Sequence, residues 1–181
     1  MSLVPAKDEL RLEMKQRVRA LGAGFCTLAS EKICRAIAED DEWKSARLVA
    51  AFLPLPSEPQ IGSLFESRNV CIPRVRGEKC DLVMLPKNLA DADWRLHGAE
   101  FDALRTIDFS IVDFILVPGL AFTEDGARLG RGGGYYDRLL ASCPGRTRRI
   151  GVCFAAQIVS ALPIEPHDQR VERVITESSP A

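Results

Sequence analysis

The stretch DFILVPGLAFTEDGARLGRGGGYYDRLL (Asp113–Leu140) decides how the chain is built. It opens with an apolar, β-branched run that stops at Pro118-Gly119, the mark of a strand buried on both faces. A polar, glycine-rich connection follows, and a helix is expected to begin near Tyr135. Strand, connection and helix in that order make half of a parallel crossover unit. Outward from it, RLVAAFLP (Arg47–Pro54) and RIGVCF (Arg149–Phe154) read as further buried strands, and RVERVIT (Arg170–Thr176) as a last one. NVCIPRV and CDLVML read as two short strands around the polar turn RGEK. A helix is expected over residues 7–20, where Leu10, Met14, Val18 and Leu21 recur at helical spacing. Further helices are expected over Cys26–Glu39, and shorter ones over Ile61–Ser67 and AAQIVSAL (residues 155–162). Strands that alternate with helices predict one α/β domain over residues 1–181: a mostly parallel sheet with helices on both faces. Residues 86–110 are polar and mixed, and read as loop-rich.

The bulk properties narrow the function. The 181 residues are 46% hydrophobic and 27% charged, as in a single soluble globular domain. The start, MSLVPAKDELRLEMKQRVR, turns charged at once and lacks the apolar stretch of a secretory signal. No apolar run is long enough to span a membrane. The cysteines (Cys26, Cys34, Cys71, Cys80, Cys143 and Cys153) show no C-x-x-C spacing, which argues against a zinc knuckle or a thioredoxin-like site. Several lie in apolar runs and read as reduced core residues of a cytosolic protein. A net charge of −1 gives no global attraction to nucleic acid. The charge is nevertheless uneven. Gly126–Gly151 carries Arg128, Arg131, Arg138, Arg146, Arg148 and Arg149 against Asp137 alone, whereas residues 88–125 are acidic. The positive field gathers where the glycines are.

Glycine is costly to order, so Gly126, Gly130, Gly132, Gly133 and Gly134 call for a reason. Beyond the carboxyl end of a strand, a glycine run lets backbone N–H groups approach a ligand with no Cβ in the way. A helix start behind it favours anions, and Arg128 and Arg131 can add permanently charged forks. Together these point to a phosphate site. It matches neither G-x-x-x-x-G-K-[ST] nor G-x-G-x-x-G. Two other readings stand beside it: a surface loop with glycines used only for turns, and an RGG-type nucleic-acid segment, against which the net charge counts. Asp137 is either a first-turn acid favoured by the helix dipole or a Mg²⁺ ligand acting with substrate phosphates. Of the adjacent Tyr135 and Tyr136, only one is expected to be buried. Lys7, Arg11 and Lys15 form a basic stripe along the first helix.

These segments, in this order, resemble the 5-formyltetrahydrofolate cyclo-ligase (5,10-methenyltetrahydrofolate synthetase) family. LVPGLAFTEDGARLGRGGGYYDRLL is similar to its signature, Lys7-x-x-Leu-Arg11 to its K-x-x-L-R, and FLPLPSEP (Phe52–Pro59) to its strand and glutamate loop. IPRVRGEKCDLVML and GVCFAAQIVSALPIEPHD also match in order, so the resemblance covers nearly the whole chain. It implies a Rossmann-like sheet of the NagB/RpiA/CoA-transferase kind. It implies conversion of 5-formyltetrahydrofolate and ATP, with Mg²⁺, to 5,10-methenyltetrahydrofolate, ADP and phosphate. ATP would lie on Lys7, Arg11, Arg128, Leu129, Gly130, Arg131, Gly132, Gly133, Gly134, Tyr135 and Tyr136. Folate would meet Leu53, Glu58, Arg131, Gly132, Gly133, Gly134 and Tyr135. Arg131 and Tyr135 would sit nearest the transferred phosphoryl group, and Asp137 and Asp168 would hold Mg²⁺. His167 would order the loop of Asp168. By itself Glu58 reads as an exposed loop acid. One segment departs: the family's G-I-x-E-P-like sequence is represented only by LHGAEFDAL (Leu96–Leu104), which bears on the folate more than on the nucleotide. A non-catalytic ATP- or folate-binding protein on the same scaffold is the alternative. A monomer acting on a small molecule, with no nucleic-acid or membrane partner, is expected.

Overall fold

The computed structural model describes residues 6–77, 79–86 and 99–180. Leu96, His97 and Gly98 of the departing segment lie outside the described residues, as do Met1 to Pro5. Nine strands and five α-helices are present among the described residues. A seven-stranded sheet runs in the order β4-β3-β2-β1-β5-β8-β9. Its strands are β1 (Val49–Ala50), β2 (Val70–Arg76), β3 (Lys79–Met84), β4 (Thr106–Ile107), β5 (Phe114–Pro118), β8 (Arg148–Val152) and β9 (Arg173–Ile175). β2, β1, β5, β8 and β9 are parallel. β3 and β4 extend one edge as antiparallel strands.

The period-two pattern of the strands builds two cores. Phe114 and Leu116 of β5 face one, and Ile115 and Val117 the other. The first core is covered by α2 (Ala23–Glu39) and α3 (Asp41–Ser45), which contribute Ile33, Ile37 and Trp43. Trp43 stands edge-on to Phe114 at 5.5 Å. Asp40 caps α3 by accepting the Trp43 N–H at 3.0 Å. The second core is covered by α5 (Tyr135–Ala141) through Leu139 and Leu140. Helices therefore lie on both faces, as the alternation predicts.

The connection between β5 and α5 is not a plain loop. It folds into a two-stranded ribbon of β6 (Ala121–Phe122) and β7 (Arg128–Leu129). At its turn Thr123 Oγ1 accepts the Ala127 N–H at 3.0 Å. Gly126 there has φ +86°, and a Cβ on it would lie 2.0 Å from the Val171 carbonyl oxygen. α1 (Lys7–Ala20) lays Leu10 and Met14 on the ribbon, against Leu120, Ala121, Ala127, Leu129 and Leu162.

Several boundaries differ from expectation. AAQIVSAL forms only a single 3-10 turn, Ala155–Gln157. Its apolar pattern is overridden by tertiary bonds: the Gln157 amide donates to the carbonyls of Gly119 and Leu120 at 3.0 Å each. The Val159 N–H then bonds to Phe122 O at 2.9 Å, which draws the backbone along the ribbon. Ile61–Ser67 likewise yields only a 3-10 turn, Gly62–Leu64. The helix α4 (Ala99–Asp102) and β4 bring regular structure to a region read as loop. All six cysteines are free; Cys26 and Cys80 are half-buried, the others buried.

Candidate active site

In an open α/β sheet, ligands gather where neighbouring strands leave in opposite directions along the sheet order. Here that place lies between β1 and β5, because β2 flanks β1 on one side and β5 on the other. A cleft of about 310 Å³ opens at their carboxyl ends. Phe52 and Leu53 line it beyond β1, and Pro118 and Gly119 close β5. Pro73, Val75 and Cys80 of the β2–β3 hairpin, with Tyr136, form an apolar wall. Glu58, Arg131, Asp137, Gly130, Gly133 and Gly134 supply the polar side.

The glycines form a built cradle. Gly132 has φ +105° and Gly134 φ +64°, and Gly133 between them lies outside the positive-φ region. Alternating backbone hand is the pattern from which anion-binding nests of N–H groups are made. The N–H groups of Arg131, Gly132, Gly133 and Gly134 donate to no described residue. Space is tight: a Cβ on Gly133 would lie 2.6 Å from the Tyr135 ring, and one on Gly134 2.9 Å from Arg138. Gly134 is the N-cap of α5, which is only two turns long. An anion bound here would meet the loop amides more than a helix dipole.

The arginines of the motif divide. Arg128, whose side chain is 3% exposed, does not point freely into the cleft. Its Nη2 donates to Asp137 Oδ1 at 2.7 Å, and Nη1 to Pro118 O at 3.3 Å. Its carbon Cζ sits 5.7 Å from the centre of the Tyr136 ring. Arg128 Nε is buried with no partner. The fork expected on phosphate is thus turned onto Asp137. Arg131 is the accessible one. Its Nε and Nη2 donate to Glu58 Oε1 at 3.0 and 2.8 Å, across the mouth of the cleft. Glu58 is buried rather than an exposed loop acid, because its Oε2 also accepts the Leu55 N–H at 2.9 Å. Leu129, placed in the motif by resemblance, turns its side chain away into the α1 contact.

Of the tyrosines, Tyr136 packs against both cores and Tyr135 is exposed beside Arg138. Burial pushes the Tyr136 phenol well above its ordinary range, so it stays protonated.

α1 brings its basic stripe to the rim. Arg11 Nε donates to Gly130 O at 3.1 Å and so braces the glycine loop. Lys7 Nζ reaches both Asp168 oxygens at 2.8 and 3.1 Å, and Glu165 at 3.1 Å. Burial disfavours the Lys7 charge, but these carboxylates outweigh it and raise its pKa; Asp168 is lowered in turn. Lys15 remains exposed. Glu165, His167 and Asp168 place ligand atoms within 4.8 Å of one another. Asp137 is outside that group, although the neighbouring Gln169 N–H reaches its Oδ1 at 3.4 Å.

Sequence reasoning missed Ser57, whose Oγ accepts from Arg131 at 3.2 Å, Glu165, and the hairpin wall of Pro73, Val75 and Cys80. The signal for the wall was available: a strand neighbouring β1 must present alternate residues to the same crevice.

The 5-formyltetrahydrofolate cyclo-ligase family model matches residues 4–177. The 5-formyltetrahydrofolate cyclo-ligase of Mus musculus is 31% identical, over 97% of this chain and 96% of its own. The enzyme of that name from Mycolicibacterium smegmatis is 31% identical over 73% of this chain and 74% of its own. The solved 5,10-methenyltetrahydrofolate synthetase of Aquifex aeolicus superposes with a TM-score of 0.78 at 29% identity, over 96% of this chain and 90% of its own. The Mycoplasma pneumoniae synthetase has the same fold, with a TM-score of 0.78 at 21% identity, over 96% of this chain and all of its own.

Proposed function

The chain belongs to the 5-formyltetrahydrofolate cyclo-ligase family, and from that membership we propose that it cyclises 5-formyltetrahydrofolate to 5,10-methenyltetrahydrofolate at the expense of ATP. The observation that carries this reading is the pairing of a nest of free backbone donors, Arg131 to Gly134, with a buried carboxylate, Glu58, across one apolar cleft. The first is chemistry for polyphosphate; the second accepts the N–H groups of a reduced pterin.

In this reading the ATP phosphates lie on Gly130 to Gly134, with Lys7 and Arg11 at the rim and Tyr135 and Tyr136 beside the loop. The pterin lies against Leu53 with its N–H groups on Glu58. The formyl oxygen attacks the γ-phosphorus, ADP leaves, N10 closes on the activated carbon, and phosphate departs. Arg131 stands between the two sites, where negative charge develops on the transferred group. No protein nucleophile is required; the chain's residues supply position and charge neutralisation. Asp137 and Asp168 would hold Mg²⁺. Both suit a hard cation by donor type; Asp137 Oδ2 carries no hydrogen bond from a described residue, whereas Asp168 would have to exchange Lys7 for the metal. When bound, the metal neutralises phosphate charge. Arg128 fixes the rotamer of Asp137 from beneath.

A cytosolic monomer is part of the same reading, and the free, mostly buried cysteines agree with a reducing compartment. Among the described residues no helix is long and apolar enough to cross a membrane. The test is turnover. Arg131→Ala should lower kcat by at least about 100-fold, the scale of losing one transition-state charge contact, with the fold intact by circular dichroism. Full activity in that variant would remove Arg131 from the mechanism. Binding of both ligands without product would favour the non-catalytic alternative.

A further inference from the structure

Both oxygens of Glu58 are already engaged. Oε1 receives two donors from Arg131, and Oε2 receives the Leu55 N–H of its own turn. A pterin that presents paired N–H groups needs both oxygens in one plane. Glu58 is held in its turn by burial and by Leu55, so the partner able to leave is Arg131, whose side chain is 37% exposed. Arg131 also sits at the first free amide of the glycine nest, where a polyphosphate would offer it a stronger anion. Arg128 contrasts with it: buried and held by Asp137 and Pro118, that guanidinium has nowhere to swing.

We propose that the Arg131–Glu58 ion pair is a latch that couples the two substrate sites: an anionic polyphosphate on the glycine loop draws Arg131 off Glu58 and frees the carboxylate for the pterin. This rests on the assignment of Glu58 to folate and of the glycine loop to nucleotide. A buried carboxylate stripped of Arg131, the one cation paired with it among the described residues, is strongly disfavoured, so each ligand's exchange is favoured by the other's. The pterin donors replace Arg131 at Glu58 as the phosphates replace Glu58 at Arg131. Each ligand thereby tightens the other by one common factor. Ser57 Oγ, 3.2 Å from Arg131 Nη2, holds the closed position.

Calorimetric titration of 5-formyltetrahydrofolate, with and without the non-hydrolysable β,γ-imido analogue of ATP, tests the latch in wild type and in Arg131→Gln. Wild type should bind folate about tenfold tighter with the analogue, within the usual range of coupling. Arg131→Gln should bind folate more tightly than wild type when no nucleotide is present, and should lose most of the tightening. A variant that binds folate more weakly without nucleotide, yet keeps the wild-type tightening, overturns the latch. The reciprocal titration, analogue into folate-saturated protein, returns the same factor by linkage; a factor of one in wild type, no tightening in either direction, also overturns the latch. Failure of wild type to bind either ligand is a different result and removes the site assignment beneath it. Circular dichroism establishes that Arg131→Gln is folded.

Discussion

Replacing Glu58 by glutamine separates a binding role from a structural one, because the two carry very different magnitudes. The Glu58 side chain is 7% exposed and its partner Arg131 is 37% exposed. An ion pair with one partly solvated member contributes about 0.2–1 kcal/mol to stability. Glutamine keeps the volume, and its carbonyl oxygen can still accept the Leu55 N–H that Glu58 Oε2 accepts at 2.9 Å. The fold should therefore lose at most about 1 kcal/mol, a fall in Tm of roughly 2–4 °C for a chain of this size. Folate binding should lose much more. Two hydrogen bonds to a charged acceptor are worth about 1.5–3 kcal/mol each. One of the two becomes a clash of donors when an amide replaces the carboxylate. A loss of about 3 kcal/mol raises the KM for 5-formyltetrahydrofolate by roughly 100-fold or more. The KM for ATP should stay within a few-fold. The assay is steady-state formation of methenyltetrahydrofolate with each substrate varied, beside a thermal melt. A drop in Tm beyond about 10 °C with an unchanged folate KM would refute the reasoning and make Glu58 a structural residue.

Gly126→Ala should destabilise by at least about 2 kcal/mol, from a positive φ and a Cβ placed 2.0 Å from the Val171 carbonyl. Gly145→Ala, with nothing within 4 Å, should stay within about 0.5 kcal/mol, and thermal melts of the two variants compare them directly. Asp40 is the α3 cap and a partner of Arg173. Burial raises its pKa, but the Trp43 N–H and Arg173 outweigh that, and the net shift is downward. A lowered carboxylate stabilises fully above its ordinary value near 3.9 and loses that contribution as pH falls through its folded value. Asp40→Asn should therefore lower Tm at neutral pH and lose less than wild type below about pH 4; parallel acid slopes would contradict this. Burial pushes the Cys71 thiol up to about 12 and Cys153 higher still. An aromatic disulfide reagent should reach half-buried Cys26 and Cys80 first and Cys71 and Cys153 only on unfolding. Because Cys80 lines the cleft, 5-formyltetrahydrofolate should slow its labelling; equal rates with and without folate would place the ligand elsewhere.

The parallel sheet was legible because its central strands lie in apolar runs whose two faces both bury. Phe114 to Val117 alternate between two cores, which a half-solvated strand could not do. The helix over residues 7–20 was equally plain from Leu10, Met14 and Val18. AAQIVSAL was misread because its apolar spacing fits a helix, while the deciding bonds from Gln157 to Gly119 and Leu120 span more than 35 residues. At the site, the glycine run announced itself by composition. The partners of its charges did not. Arg128 and Arg131 look alike in sequence, but the ribbon's register buries one against Asp137 and leaves the other to cross the cleft to Glu58, 73 residues away. Glu58 itself looked solvated, because burial of a loop acid depends on a cation supplied from a distant element.

The most direct measurement is the absorbance of 5,10-methenyltetrahydrofolate on mixing the protein with 5-formyltetrahydrofolate, Mg²⁺ and ATP. The expected result is product that appears with ATP, stays absent without it, and matches the ADP released one for one. No product from protein that binds both ligands would contradict the proposed reaction.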